Sequence, residues 1–135
     1  MTIVRVTLPM LVLGLLLGGC STKSGSSLKK GDIVTVQEEL RETAETQWED
    51  PSYTDGFTAM IPKGTKLEVL FTPAPASQVF ECRPIEVNGI KDADSVEAFF
   101  VPEPILNKEG YTSYSFALNK EFIGTKLTKT TKSQQ

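Results

Sequence analysis

The sequence predicts a mainly β domain, a small antiparallel barrel, and three observations lead to it. Short runs dense in β-branched and aromatic residues recur between residues 31 and 125, roughly five or six of them in about 95 residues. Gly, Pro and Asn stand between these runs where turns require them. The chain has 135 residues, which leaves room for one domain and little more.

The first 20 residues, MTIVRVTLPMLVLGLLLGGC, stand apart. Arg5 and the amino terminus form a short positive segment. An apolar run from Leu8 to Leu17 follows, interrupted only by Pro9 and Gly14. It falls short of the roughly 20 apolar residues that span a ~30 Å hydrocarbon core. Small residues Gly18 and Gly19 then lead into Cys20, which completes the architecture of a signal peptide.

Leu17-Gly18-Gly19-Cys20 resembles the lipobox of bacterial lipoproteins, with Gly18 where Ala or Ser is commoner. The resemblance implies cleavage between Gly19 and Cys20, diacylglycerol transfer to the Cys20 thiol, and acylation of the new amino terminus. One acyl chain binds marginally, at ~0.8 kcal/mol per buried methylene, whereas two or three anchor stably. The partner so implied is a membrane, and the location is the bacterial cell envelope. Ser21, in place of the Asp that retains such proteins at the inner membrane, implies the outer membrane and a periplasm-facing domain in a Gram-negative host. Residues 1–19 are thus expected as the signal peptide and 20–30 as a lipidated flexible tether, since STKSGSSLKK lacks any hydrophobic period. Residues 126–135 read as a solvated polar tail with three solubilising lysines.

Between the tether and the tail, residues 31–125 carry the domain. Lys30-Gly31-Asp32 is a turn signal, and Ile33-Val34-Thr35-Val36 reads as a strand. Gln37 to Trp48 supports two readings. Leu40, Ala44 and Trp48 recur every four residues, as on a helical face. Thr43, Thr46 and the lack of a clean cap favour a strand running into a long loop, which is the preferred reading. Pro62-Lys63-Gly64-Thr65 has the composition of a type II turn, and Leu67 to Phe71 follows as a strand. Thr72 to Ser77, with two prolines, is a loop. Val79 to Val87 is the next strand, with Phe80, Cys82 and Val87 facing in and Pro84 marking an edge or bulge. Asn88-Gly89 is a hairpin signal. Val96 to Val101 reads as the returning strand, stopped by Pro102-Glu103-Pro104, and Tyr111 to Leu118 as the last one, with a short extension at Phe122 to Thr125.

The order of these features resembles an SH3-like barrel. Lys63 to Leu70 is similar to that family's Gly turn and strand, Val79 to Cys82 to its Trp-bearing strand, and Ala98 to Leu106 to the strand, Val-Pro and 3₁₀ turn that end its core. The resemblance covers roughly residues 31–118 and implies that Gln37 to Gly56 is a long first loop bordering a groove of aromatic and acidic residues. Val79 stands where the family's groove tryptophan would be, so the resemblance does not carry polyproline binding. Peptidoglycan binding, as in bacterial SH3-like domains, is the implied alternative.

Composition excludes several chemistries. The chain has 14 basic and 17 acidic residues and a net charge of −3, and Arg5 is the one charge before Cys20. A mildly acidic domain gives phosphate backbones nothing to bind, so no nucleic-acid partner is expected. Histidine is absent, which removes the commonest general base and metal ligand. Cys82, without a base and on the same strand face as Phe80, reads as a core thiol. The acidic run Glu38, Glu39, Glu42, Glu45, Glu49 and Asp50 matches no calcium-loop spacing and reads as a solvated face. No cofactor, metal site or catalytic residue is expected.

Trp48, Tyr53, Glu49 and Asp50 form the candidate contact surface, because aromatic residues in a polar loop make good contact groups. The bland alternative is that Trp48 lids the barrel. The sequence therefore leads to a non-catalytic binding or assembly module meeting an envelope protein or peptidoglycan. Its alternatives are an accessory subunit of an envelope complex and a small carboxylate-based hydrolase acting on cell-wall material.

Overall fold

The structure, a computed structural model, describes residues 27–130; the expected signal peptide, Cys20, most of the expected tether and the last five residues lie outside it. The described chain is mainly β. Strands β1 (Ile33–Val36), β2 (Leu40–Trp48), β3 (Gly56–Ile61), β4 (Lys66–Val69), β5 (Val79–Glu86), β6 (Tyr111–Asn119) and β7 (Leu127–Thr130) form one antiparallel sheet in the order β3-β2-β6-β5-β4-β1-β7. Two helices, α1 (Ala93–Phe100) and α2 (Glu103–Leu106), and a 3₁₀ turn at Lys120–Phe122 interrupt the run. The sheet is open: among the described residues no ladder joins β3 to β7.

Alternation along the strands decides which side chains make the core. In β2, Leu40, Ala44, Thr46 and Trp48 are buried while Arg41, Thr43, Glu45 and Gln47 face water. Four is an even number, so the spacing of Leu40, Ala44 and Trp48 fits a strand face as well as a helix face. The chain reverses into β3 after a short turn, so Gln37 to Gly56 is not the long loop that the SH3-like resemblance implied. Tyr114, Phe116 and Leu118 of β6, Phe80 and Cys82 of β5, and Val34 and Val36 of β1 fill the centre of a single core.

The turns follow their chemistry. Thr65 N–H donates to the Pro62 carbonyl at 3.2 Å, and Gly64 at φ 92° holds the third turn position, which a type II turn needs. Asn88 and Gly89 both take positive φ, 49° and 83°, as a type I′ turn demands, but the chain leaving them forms a helix. The expected strand Val96–Val101 is thus corrected to helix α1. Asp92 caps it by accepting from Ser95 N–H at 3.0 Å, and Val96 and Phe100, four apart, turn one face to the core.

Both ends of the domain reach further than the sequence suggested. Leu28, placed in the tether, is buried in the core cluster. The expected polar tail includes β7, which pairs with β1 from Ile33↔Thr130 to Val36↔Leu127, and Leu127 is fully buried. One inward leucine and a neighbouring edge were enough to recruit it. Lys129, read as solubilising, donates to the Ser27 carbonyl at 2.7 Å and lies 3.4 Å from the Asp32 carboxylate.

Candidate functional site

Trp48 ends β2, where its ladder with β6 shifts register opposite Tyr111. The side chain is only 8% exposed. Its indole N–H donates to Thr46 Oγ1 at 2.6 Å, and the Thr46 hydroxyl donates in turn to the Asp55 carbonyl at 2.6 Å. Tyr53 and Tyr111 meet the indole edge-on, with centroids at 4.7 and 5.6 Å. These T-shaped contacts set the quadrupole of one ring against the edge of the next.

Lys108, just before β6, closes this corner. Its ammonium lies 4.6 Å from the Tyr53 ring centre and 5.8 Å from that of Trp48, and it donates to the Tyr53 hydroxyl. That hydrogen bond, more than any other effect, lifts the lysine above its ordinary pKa. Asp50 accepts from the Ser52 hydroxyl at 2.7 Å and from its N–H at 3.0 Å, which lowers the carboxyl below its usual range. Trp48, Asp50, Tyr53, Lys108, Glu109 and Gly110 line a surface pocket of about 210 Å³. Three of the residues singled out in the sequence therefore share one pocket. Glu49 stands beside it, held by its backbone N–H to the Gly110 carbonyl at 2.7 Å, with its side chain in solvent.

A second concavity was not foreseen. The β5–β6 ladder stops at Cys82↔Phe116, while β5 continues to Glu86 alongside β4. Pro84 has no N–H to extend a ladder, and β4 carries a bulge opposite it, between Lys66 and Leu67. The two strands part, and α1 lies across the gap. The resulting cleft of about 350 Å³ includes Glu68, Arg83, Lys91, Asp94, Glu97 and Tyr114 in its walls. Arg83 bridges it, donating through Nε to the Tyr114 carbonyl at 2.8 Å. No carboxylate among the described residues lies within 4 Å of the guanidinium; the ion pairs among those residues, Lys66–Glu86 and Lys129–Asp32, do not involve it.

Tyr111 joins the two concavities. It packs on Trp48 and donates its hydroxyl to Glu97 Oε2 at 2.7 Å. Tyr114 is 2% exposed, and its hydroxyl has no hydrogen-bond partner among the described residues. Burial above all pushes both phenols above their ordinary pKa; the hydrogen bond to Glu97 and then its charge add to this at Tyr111, and the Glu97 charge adds to it at Tyr114. The Pro84 signal was visible in the sequence. The partners that turn it into a cleft, Glu97 and Tyr114, could be placed only once α1 and the strand register were known.

Cys82 lies in neither concavity. It is fully buried, its thiol faces the Phe116 carbonyl at 3.7 Å, and burial raises its pKa, helped by Glu42 and Glu81. Such a thiol is a poor nucleophile. Among the described residues no three His, Cys, Asp or Glu side chains converge as a metal site, and no helix is long and apolar enough to cross a membrane. Comparison with protein-family models, with curated proteins and with solved structures finds no match.

Proposed function

We propose that the chain is a bacterial envelope lipoprotein, anchored through acylated Cys20, whose β domain is a non-catalytic binding or assembly module. Its partner is an envelope protein or peptidoglycan, met at the end of the sheet that carries Trp48, Tyr53 and Lys108. The observation that carries this reading is the placement of the concavities. Strand β6 runs from Tyr111, beside Trp48, to Asn119, paired with Val79, a span of about 26 Å at strand rise. The first described residue, Ser27, borders a groove with Thr72 and Lys120 at the Asn119 end. The aromatic corner thus opens at the end remote from the anchor.

The barrel form of the sheet belongs to the same proposal. Phe57 and Ile61 of one edge strand and Leu127 of the other enter one core, and the charge of Lys126 is felt by Glu42 on β2. A strongly curled sheet accounts for both. An SH3-like arrangement within that curl remains part of the proposal, without the family's polyproline groove.

The test uses the full chain expressed in bacterial membranes. Mass spectrometry of the N-terminal peptide should find acyl chains on Cys20, and Cys20→Ser should release the protein from membranes. Co-purification from cross-linked envelopes and pelleting with purified peptidoglycan should capture the parent. The Tyr53→Ala, Lys108→Ala pair should lose that capture at unchanged membrane association. Capture indifferent to both substitutions would remove the Trp48 corner from the proposal.

A further inference from the structure

The loop between β4 and β5 presents apolar side chains to solvent and carries no charged residue of its own. Val69 to Phe80 is a run of 12 residues with no Asp, Glu, Lys or Arg. Phe71 is 57% exposed and Val79 41% exposed. The loop does not fold them away because it is held in place. Ser77 N–H donates to the Ala74 carbonyl at 3.0 Å, and the Ser77 hydroxyl donates to the Val79 carbonyl at 2.8 Å. Lys120 Nζ donates to the Ala74 carbonyl at 3.0 Å, and Lys30 N–H donates to Thr72 Oγ1 at 2.9 Å. Pro73 and Pro75 remove further backbone freedom.

Two facts identify the occupant. Exposed Lys29 and Lys30, together with Lys120, rim the loop; Lys129 next to them is engaged by Asp32 and Ser27, and among the described residues Glu121 is the one acid lining the groove there. Chain geometry supplies the second. Ser27 lies seven residues after Cys20, a stretch that spans at most about 25 Å fully extended. A lipid on Cys20 would therefore keep this loop within reach of the bilayer at all times, at an effective concentration that makes weak contacts sufficient.

From this we propose that the Val69–Phe80 loop and its lysine rim are a membrane-docking face, in which Phe71 enters the headgroup–acyl boundary and Lys29, Lys30 and Lys120 meet anionic headgroups. The inference rests on the anchor reading for its geometry. An aromatic side chain with basic neighbours suits the interface, where an apolar body is buried about 5–10 Å deep and cations meet the negative surface potential.

The test places the single tryptophan at position 71, as Phe71→Trp in a Trp48→Phe background, in the full chain recovered from membranes. The protein is reconstituted in phosphatidylcholine–phosphatidylglycerol vesicles whose acyl chains carry bromine as a quencher. The expected reading is a blue-shifted emission that falls by about half in brominated relative to plain vesicles. Trp48 of the parent, at the remote end, stays unquenched. Lys29→Glu with Lys30→Glu should cut the quenching, as should high salt. The Cys20 acyl mass is read on the same sample. An acylated chain with an unquenched position 71 overturns the docking face and keeps the anchor; an unacylated chain with a quenched position 71 does the reverse. A blue shift that follows protein concentration without quenching would give the face to a second copy of the chain and overturn the proposal.

Discussion

Leu127→Ala tests whether β7 belongs to the domain. The side chain is fully buried, with Val36 opposite it in register. Removing a buried leucine side chain costs about 2–5 kcal/mol, the sum of lost transfer energy and the cavity left behind. At an edge strand the surroundings can close in part, so a value near 3 kcal/mol is expected. For a domain of this size each kcal/mol moves the thermal midpoint by about 4–8 °C, which gives a fall of about 12–24 °C. The assay is thermal unfolding followed by circular dichroism, with urea titration as a check that the slope is unchanged and the loss is one of stability. Thr128→Ala, exposed on the same strand, is the control and should stay within about 0.5 kcal/mol. A midpoint for Leu127→Ala within about 3 °C of the parent would show that residues 126–130 are the solvated tail the composition suggested, and would refute the β1–β7 pairing.

Glu42, half-buried, has its pKa raised from 4.5 by burial, with Lys126 opposing. The folded chain then holds this proton to higher pH than the unfolded chain, so stability falls as pH rises from the ordinary carboxyl range through the raised value. Glu42→Gln should be more stable than the parent at neutral pH and equal to it in acid; a midpoint difference independent of pH would contradict this. Gly56→Ala would place a Cβ 2.9 Å from the Ala44 carbonyl oxygen, a backbone atom that cannot turn aside, and should cost about 1–3 kcal/mol in urea titration. In the Cys20→Ser chain, Cys82 should react with a thiol reagent only as fast as the domain opens. Prompt labelling of the native protein would mean that Cys82 is not enclosed as described.

What the sequence disclosed depended on the range of the forces involved. The Gly64 and Asn88-Gly89 turns were legible because backbone sterics act within a few residues. Val96 to Val101 looked like a strand because it is dense in β-branched and aromatic residues, with Glu97 its one charge. Its helix rests on the Asp92 cap and on Val96 and Phe100 finding the core together, a tertiary preference that overrode density of apolar residues. β7 rests on a partner more than 90 residues away and carries one leucine as its signal. The site divides along the same line. Trp48, Asp50 and Tyr53 are near neighbours in sequence and line one pocket, whereas Lys108 and Tyr111, which complete the corner, lie about 60 residues on. The cleft needed the sheet to split, and no local pattern encodes that.

The junction between the expected tether and the domain bears on how the proposed anchor would work. Asp32, 7% exposed, accepts from Lys29 N–H at 2.8 Å and pairs with Lys129, whose ammonium also holds the Ser27 carbonyl. The pair is partly solvated on the lysine side, so its role is to fix the geometry of the entry point more than to add stability. The point where the chain enters the fold is therefore clamped to the edge strand β7, and Leu28 is packed into the core behind it. Under the proposed anchor, a tether attached to such a clamp would fix which end of the domain stays near the membrane, and with it the outward direction of the Trp48 corner. Lys129→Ala separates this clamp from the core of β7. It should leave the stability within about 1 kcal/mol of the parent, because the lysine is partly solvated. It should also speed amide hydrogen exchange at Lys29, whose N–H the Asp32 carboxylate holds. Unchanged exchange at that amide would mean that Asp32 holds the entry point without Lys129, and that the orientation of the domain is not set there.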